Sequence, residues 1–272
     1  MVSPRAVYKI TAARNVYEWQ TIFRVESSTI SHWLDICASM PPCLLCLYRD
    51  QGKPDEAERM LQRALAGKEK ALGPNHTSTL DTVNNLGLLY RDQGKLDEAE
   101  RMLQRALAGY EKALGKEALT IPLLNTVNNL GNLYSDQGKL DEAEQMYQRA
   151  LAGSEKALGP DHTSTLDTVN NLGGLYRGQG KLDQAEQMYQ RALAGYEKAL
   201  GPDHTSTLDT VNNLGALYSD QGKLNEAEQM YQRALLVYQR IYGPSHDRVK
   251  ATSKKLASTR SKKGKLPHLL SS

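Results

Sequence analysis

Apolar positions along the chain fall into two alternating stripes. Leu80, Val83, Leu86, Gly87 and Tyr90 stand at i, i+3, i+6, i+7 and i+10, which is the 3.6-residue period of a helix with one packed face. Ala99, Leu103, Ala106, Leu107, Tyr110 and Leu114 make a second stripe of the same kind. Between them lies Gly94, able to take the positive φ that closes a helix. Asp97 and Glu98 put negative charge on the exposed N–H groups that open the second helix. Ser78 and Asp81 predict the start of the first helix, as a carboxylate variant of the capping box. Gly115 ends the second helix, and elsewhere the stop is Gly-Pro, at Gly73-Pro74, Gly159-Pro160 and Gly201-Pro202, where proline cannot continue a helix.

This two-helix unit is copied. Leu-Tyr-x-x-Gln-Gly-Lys recurs with its tyrosine at 48, 90, 134, 176 and 218, spacings of 42, 44, 42 and 42 residues. The longer interval comes from the linker Gly115 to Leu124, which replaces Gly-Pro-Asp-His-Thr-Ser-Thr-Leu and adds two residues. The predicted units are 38–79, 80–123, 124–165, 166–207 and 208–245. One 42-residue hairpin cannot bury both of its stripes, whereas stacked copies can. The expected fold is therefore all-α, a right-handed α-solenoid of stacked helix-turn-helix repeats.

The two ends depart from the pattern. Pro41 and Pro42 interrupt the first helix of the first unit, and residues 1–37 lose the register altogether. At the other end Gly264-Lys265-Leu266 falls on Gly222-Lys223-Leu224, Lys254-Lys255 on Asn212-Asn213, and Arg260 on Tyr218. This predicts a sixth first-helix near Ser245–Arg260, within a capping segment 246–266 that precedes a tail, 267–272. Its polar substitutions suit a terminal repeat that must face water.

Composition adds little further. One Phe against fourteen Tyr reflects the copying, and 34 basic against 31 acidic residues give a net charge of +3. Residues 247–272 hold eight basic residues and one acidic, a net +7 that leaves −4 for everything before. That basic end reads either as an RNA, acidic-lipid or nuclear-import patch or as a solvated capping helix, and the second is the expectation. Nucleic acid is thus an unlikely partner, and no run of eighteen apolar residues suggests a membrane span. Met1–Gln20 shows no apolar signal core, so the expected location is the cytoplasm.

The candidates for chemistry are weak. Gly178-Gln-Gly180-Lys181-Leu182 lacks the earlier glycine and the hydroxyl residue of a phosphate loop. His76, His162, His204 and His246 recur once per linker, but successive copies lie roughly 20 Å apart, far beyond the ~2.0–2.3 Å reach of zinc. They are better employed satisfying backbone groups at the turn. His32, Cys37, Cys43 and Cys46 offer one tight pair without the second pair that zinc frameworks show. No catalytic constellation stands outside repeat-equivalent positions. The expectation is no metal, no cofactor and no enzyme.

Leu86-Gly87, Tyr90, Ala99, Leu103 and Ala106 have the spacing of the tetratricopeptide repeat (TPR) motif, and Leu130-Gly131, Tyr134, Ala143, Tyr147 and Ala150 repeat it. The 42-residue form, with its long second helix and Gly-Pro-Asp-His linker, resembles the repeats of kinesin light chains. It also resembles sensor arrays fused behind STAND-type signalling NTPases. The heptads with which kinesin light chains hold their heavy chain are missing from residues 1–40, and no P-loop is present.

The resemblance implies a concave groove lined by one side of each first helix. Carried over position by position, that side holds Asp81, Asn125, Asp167 and Asp209, then Asn84, Asn128, Asn170 and Asn212, with Asn85, Asn129, Asn171 and Asn213 nearer the rim. A further row reads Leu88, Asn132, Gly174, Ala216, and the last Arg91, Ser135, Arg177, Ser219. Asparagine both donates and accepts, so such a ladder can hold the backbone of an extended peptide. Its other use is to bridge adjacent helices. The Leu-Asn-Gly-Ala row is the strongly varied one, as a specificity surface would be. The expected function is a non-catalytic scaffold for a protein or peptide partner. The alternatives are a self-associating array, forming a homo-oligomer through the defective first repeat, and the detached sensor end of an NTPase.

Overall fold

A computed structural model describes residues 54–115 and 119–265. The described residues form ten helices and no strand. They are α1 (Pro54–Leu72), α2 (Thr77–Asp92), α3 (Leu96–Leu114), α4 (Ile121–Asp136), α5 (Leu140–Leu158), α6 (Thr163–Gly178), α7 (Leu182–Leu200), α8 (Thr205–Asp220), α9 (Leu224–Tyr242) and α10 (Asp247–Lys265). From α1 to α9, first helices of 16 residues alternate with second helices of 19, each packed on its sequence neighbours, to give the right-handed solenoid, and α10 follows as a first helix of 19. The first helix of the first unit, the Pro41-Pro42 interruption and the Cys37, Cys43, Cys46 set lie outside the described residues.

Both stripes form the core. Leu80, Val83 and Leu86 are buried on α2, and Ala99, Leu103, Ala106 and Tyr110 on α3. Leu107 is half-buried, and Leu114 leaves the core at 39% exposure because α3 runs past the end of its partner. The helices touch closely where glycine removes a side chain. A Cβ on Gly87 would stand 2.7 Å from Leu103 Cγ, and one on Gly131 2.7 Å from the Tyr147 ring.

Each turn inside a pair is a Schellman motif. Gly94, at φ 75°, donates to the Arg91 carbonyl while Lys95 N–H reaches back to the Tyr90 carbonyl. The linker histidines are the N-caps. Nδ1 of His76, His162 and His204 accepts from the N–H of Ser78, Ser164 and Ser206, each at 3.2 Å, and His246 does the same for Arg248. The cap is thus His76 and not the expected box around Ser78, since the extended backbone at His76 already aims its imidazole at the free N–H of Ser78.

Successive repeats are clasped through one carboxylate. Glu100 accepts from Gln137 Nε2 at 2.9 Å and Lys139 Nζ at 3.0 Å, both from the next repeat. Glu58, Glu144 and Glu186 take the same lysine of the following copy, and that lysine lies over its own tyrosine ring. The cap keeps the clasp with altered residues: Arg260 and Lys263 donate to Glu228 at 2.8 and 3.1 Å. Helix α10 buries Val249, Thr252, Leu256 and Thr259 and runs on to Lys265, past the expected end at Arg260. Gly264 stays helical where Gly222 turns at φ 75°.

Candidate functional site

The row of first-helix carboxylates is engaged by tyrosines of its own repeats, and at the end by the cap as well. Asp81 accepts a hydrogen bond from Tyr110 Oη, Asp167 from Tyr196, and Asp209 from both Tyr238 and Arg248. Burial, then the adjacent carboxylate, raises the Tyr110 hydroxyl well above its ordinary range. The third repeat differs at both members, with Asn125 for the acid and buried Ser154 for the phenol. Leu119 and Leu123 from its altered linker pack into that stretch of core.

The asparagines form a ladder across repeats. Asn84 Oδ1 accepts from Asn129 Nδ2 at 3.1 Å and from Thr126 Oγ1 at 3.2 Å. Asn128 Oδ1 accepts from Asn171 at 3.3 Å, and Asn170 Oδ1 from Thr210 at 3.2 Å and Asn213 at 3.4 Å. The last rung is open: Asn212 Oδ1 is buried without a partner, because Lys255 stands where a further asparagine would donate. Asn84 Nδ2 reaches Asn85 at 3.5 Å. The Nδ2 groups of Asn128 and Asn170 make no hydrogen bond among the described residues and sit at half-buried positions. One side of the ladder is therefore used between repeats, and two donors are left over.

Arg91 and Arg177 reach forward by one repeat. Arg91 Nε pairs with Asp136, and Arg177 Nε with Asp220 Oδ2 at 2.6 Å. Between the third and fourth repeats the matching residues are Ser135 and Gly178, so that junction lacks the bridge.

Asn132, Gly174 and Ala216 of the varied row lie against second-helix tyrosines, Tyr147, Tyr189 and Tyr231, which occupy the core position of Leu103 in the repeat. Tyr147 Oη donates to Asn132 Oδ1 at 2.6 Å. Ala216 packs with Tyr231 and with Leu256 of the cap. Gly174 is exposed, and a Cβ there would meet only the Tyr189 hydroxyl, at 3.4 Å. The signal was in the sequence: repeats with tyrosine in the second row carry a polar or small residue in the varied row, and the repeat with Leu103 carries Leu88.

The tetratricopeptide repeat model matches residues 46–112, 122–198, 166–235 and 206–267. The chain belongs to the tetratricopeptide repeat family. Among solved structures, BtubC (BKLC) from P. vanneervenii is similar with a TM-score of 0.62 and 22% identity, over 80% of this chain and 84% of that one. Nearly identical TPR-like repeats described as a kinesin light chain of Podosopora anserina align with a TM-score of 0.60 and 22% identity, over 80% and 98%. At that identity the likeness is one of fold, and the fold is the kinesin-light-chain-like TPR solenoid. No curated protein matches the sequence. TPR arrays generally mediate protein–protein interaction and are typically non-catalytic scaffolds. Among the described residues no helix is long and apolar enough to cross a membrane, and no group of three or more His, Cys, Asp or Glu is placed to hold a metal ion.

Proposed function

We propose that the array is a non-catalytic scaffold that holds an extended segment of a partner protein along its first helices, across the second to fourth repeats. The observation that carries this reading is the pair of unused donors, Asn128 Nδ2 and Asn170 Nδ2, one repeat apart on the same ladder. Their carboxamides are already oriented by the bonds that their oxygens accept, so little rotamer freedom is lost when a peptide carbonyl arrives. A row of backbone-directed donors binds main chain whatever the side chains, which leaves selectivity to neighbouring positions such as Asn132 and Arg177.

The test is titration of a library-selected peptide into the wild-type chain and the N128A/N170A variant. Two lost hydrogen bonds should weaken binding roughly fivefold to a hundredfold, at about 0.5–1.5 kcal/mol each. Circular dichroism of both chains separates this from unfolding. Full-strength binding by the folded variant would overturn the groove assignment.

A further inference from the structure

Tyr189 is 2% exposed, and its hydroxyl makes no hydrogen bond among the described residues. It does not point into sealed core. The atom nearest to a Cβ built on exposed Gly174 is that hydroxyl oxygen, at 3.4 Å, so it lies beneath a bare stretch of α6.

The neighbouring repeats show what is missing. In the third repeat the equivalent tyrosine, Tyr147, donates to Asn132 Oδ1 at 2.6 Å, and Asn132 is the counterpart of Gly174. In the fifth repeat Ala216 and Tyr231 are packed under Leu256 of the cap. Among the described residues, only in the fourth repeat does the phenol remain while its acceptor is removed and nothing covers the place. One turn on, Gly178 replaces the aspartate found at Asp92, Asp136 and Asp220, and a Cβ there would meet nothing within 4 Å. Packing therefore asks for neither glycine, and within a helix glycine is a poorer former than alanine.

Resting on the groove reading above, we propose that Gly174 and Tyr189 form a specificity notch for a short acceptor side chain, Asp or Asn, of the bound partner segment. The ligand's side-chain oxygen would take the place that Asn132 Oδ1 holds in the third repeat and accept from Tyr189 Oη. Charge favours Asp over Asn. Arg177 on the same helix is balanced by Asp220, whereas Lys255 beyond it lies over the Tyr231 ring and makes no ion pair among the described residues, which leaves this end of the face positive.

Phage-displayed random dodecapeptides, selected on immobilised full-length chain, supply the probe. Wild-type selections should carry Asp, and less often Asn, at one fixed position. G174N installs the side chain that the third repeat already accommodates, and Y189F removes the donor while keeping the ring. Each should lower enrichment at that position by roughly two- to tenfold, the worth of one hydrogen bond, while the rest of the consensus persists. Enrichment that is absent from the wild type, or equal on all three chains, overturns the notch. A consensus of Glu or an aromatic residue at that position does so as well. N128A/N170A distinguishes the two readings: if it loses all selection while G174N changes nothing, the groove stands and the notch falls. If none of the variants alters selection, both fall.

Discussion

Asn84 Oδ1 accepts the Nδ2 hydrogen bond of Asn129, its neighbour one repeat along, at 3.1 Å. The ladder is thus part of what holds repeats together as well as the proposed binding row. Asn84→Ala should leave Thr126 with only its bond to the Pro122 carbonyl and Asn129 Nδ2 without its acceptor. A loss of about 0.5–1.5 kcal/mol per hydrogen bond is expected in a denaturant melt. An unchanged midpoint would show that water replaces the bridge without cost.

Gly131→Ala tests how closely the helices of a pair approach. A Cβ at 131 would stand 2.7 Å from Tyr147 ring carbons, and that ring is 3% exposed and fixed by its bond to Asn132. Overpacking of about 1–3 kcal/mol should outweigh the gain of about 1 kcal/mol that alanine brings to a helix. The equivalent position in α10 is Ala257, which is exposed and has no following helix to meet among the described residues. Ala257→Gly should therefore destabilise as well. Thermal unfolding that placed Gly131→Ala above the parent chain would refute the close approach.

Much of this was legible before any coordinates. The 42-residue period, two stripes per unit and glycine at each stop determine helices, turns and stacking, because each is a local or nearest-neighbour property. What one dimension conceals is the angle between copies. That Arg91 meets Asp136, or that Asn170 meets Asn213, depends on how far each repeat rotates on the last. The Asp81–Tyr110 pair was recoverable, since Asn125 and Ser154 change together in the third copy. The histidine caps were legible as turn residues, and the atom they cap was not.

Acid should loosen the clasps. Arg260, then Lys263, hold Glu228 below the usual carboxylate range, and Gln221 and Lys223 do so for Glu186 against the opposing effect of burial. A depressed folded pKa means that the stabilisation is complete above the unfolded value, about 4.3 for glutamate. It is lost as pH falls below that value and through the folded one. The contribution of these clasps to the melting temperature should therefore be flat from neutral pH down to about 5 and then decline. Glu186→Gln should flatten part of that decline, and an identical acid limb in the variant would count against the clasp.

The cap offers the sharpest contrast between a polar and an apolar array end. In α10 the positions equivalent to Leu208, Val211 and Tyr218 are Lys250, Ser253 and Arg260. In α8 the first two are fully buried, and there they meet the second helix of their own pair. In α10 no such helix follows among the described residues, so a leucine or valine there would face water. K250L/S253V/R260Y restores the repeat consensus, and its helical propensity is nearly neutral, since arginine and lysine are about as good as leucine in a helix. The triple variant should keep its helical signal, because Val249, Thr252, Leu256 and Thr259 on the adjoining face still pack on the array. It gives up one bond to Glu228 while Lys263 retains the other. What it gains is an apolar end shaped like an unfinished repeat, which a second copy can cover. Sedimentation velocity should then show association that rises with concentration and exceeds that of the parent chain. Identical sedimentation of the two chains, with helical content preserved, would mean that these three polar residues are not what ends the stack.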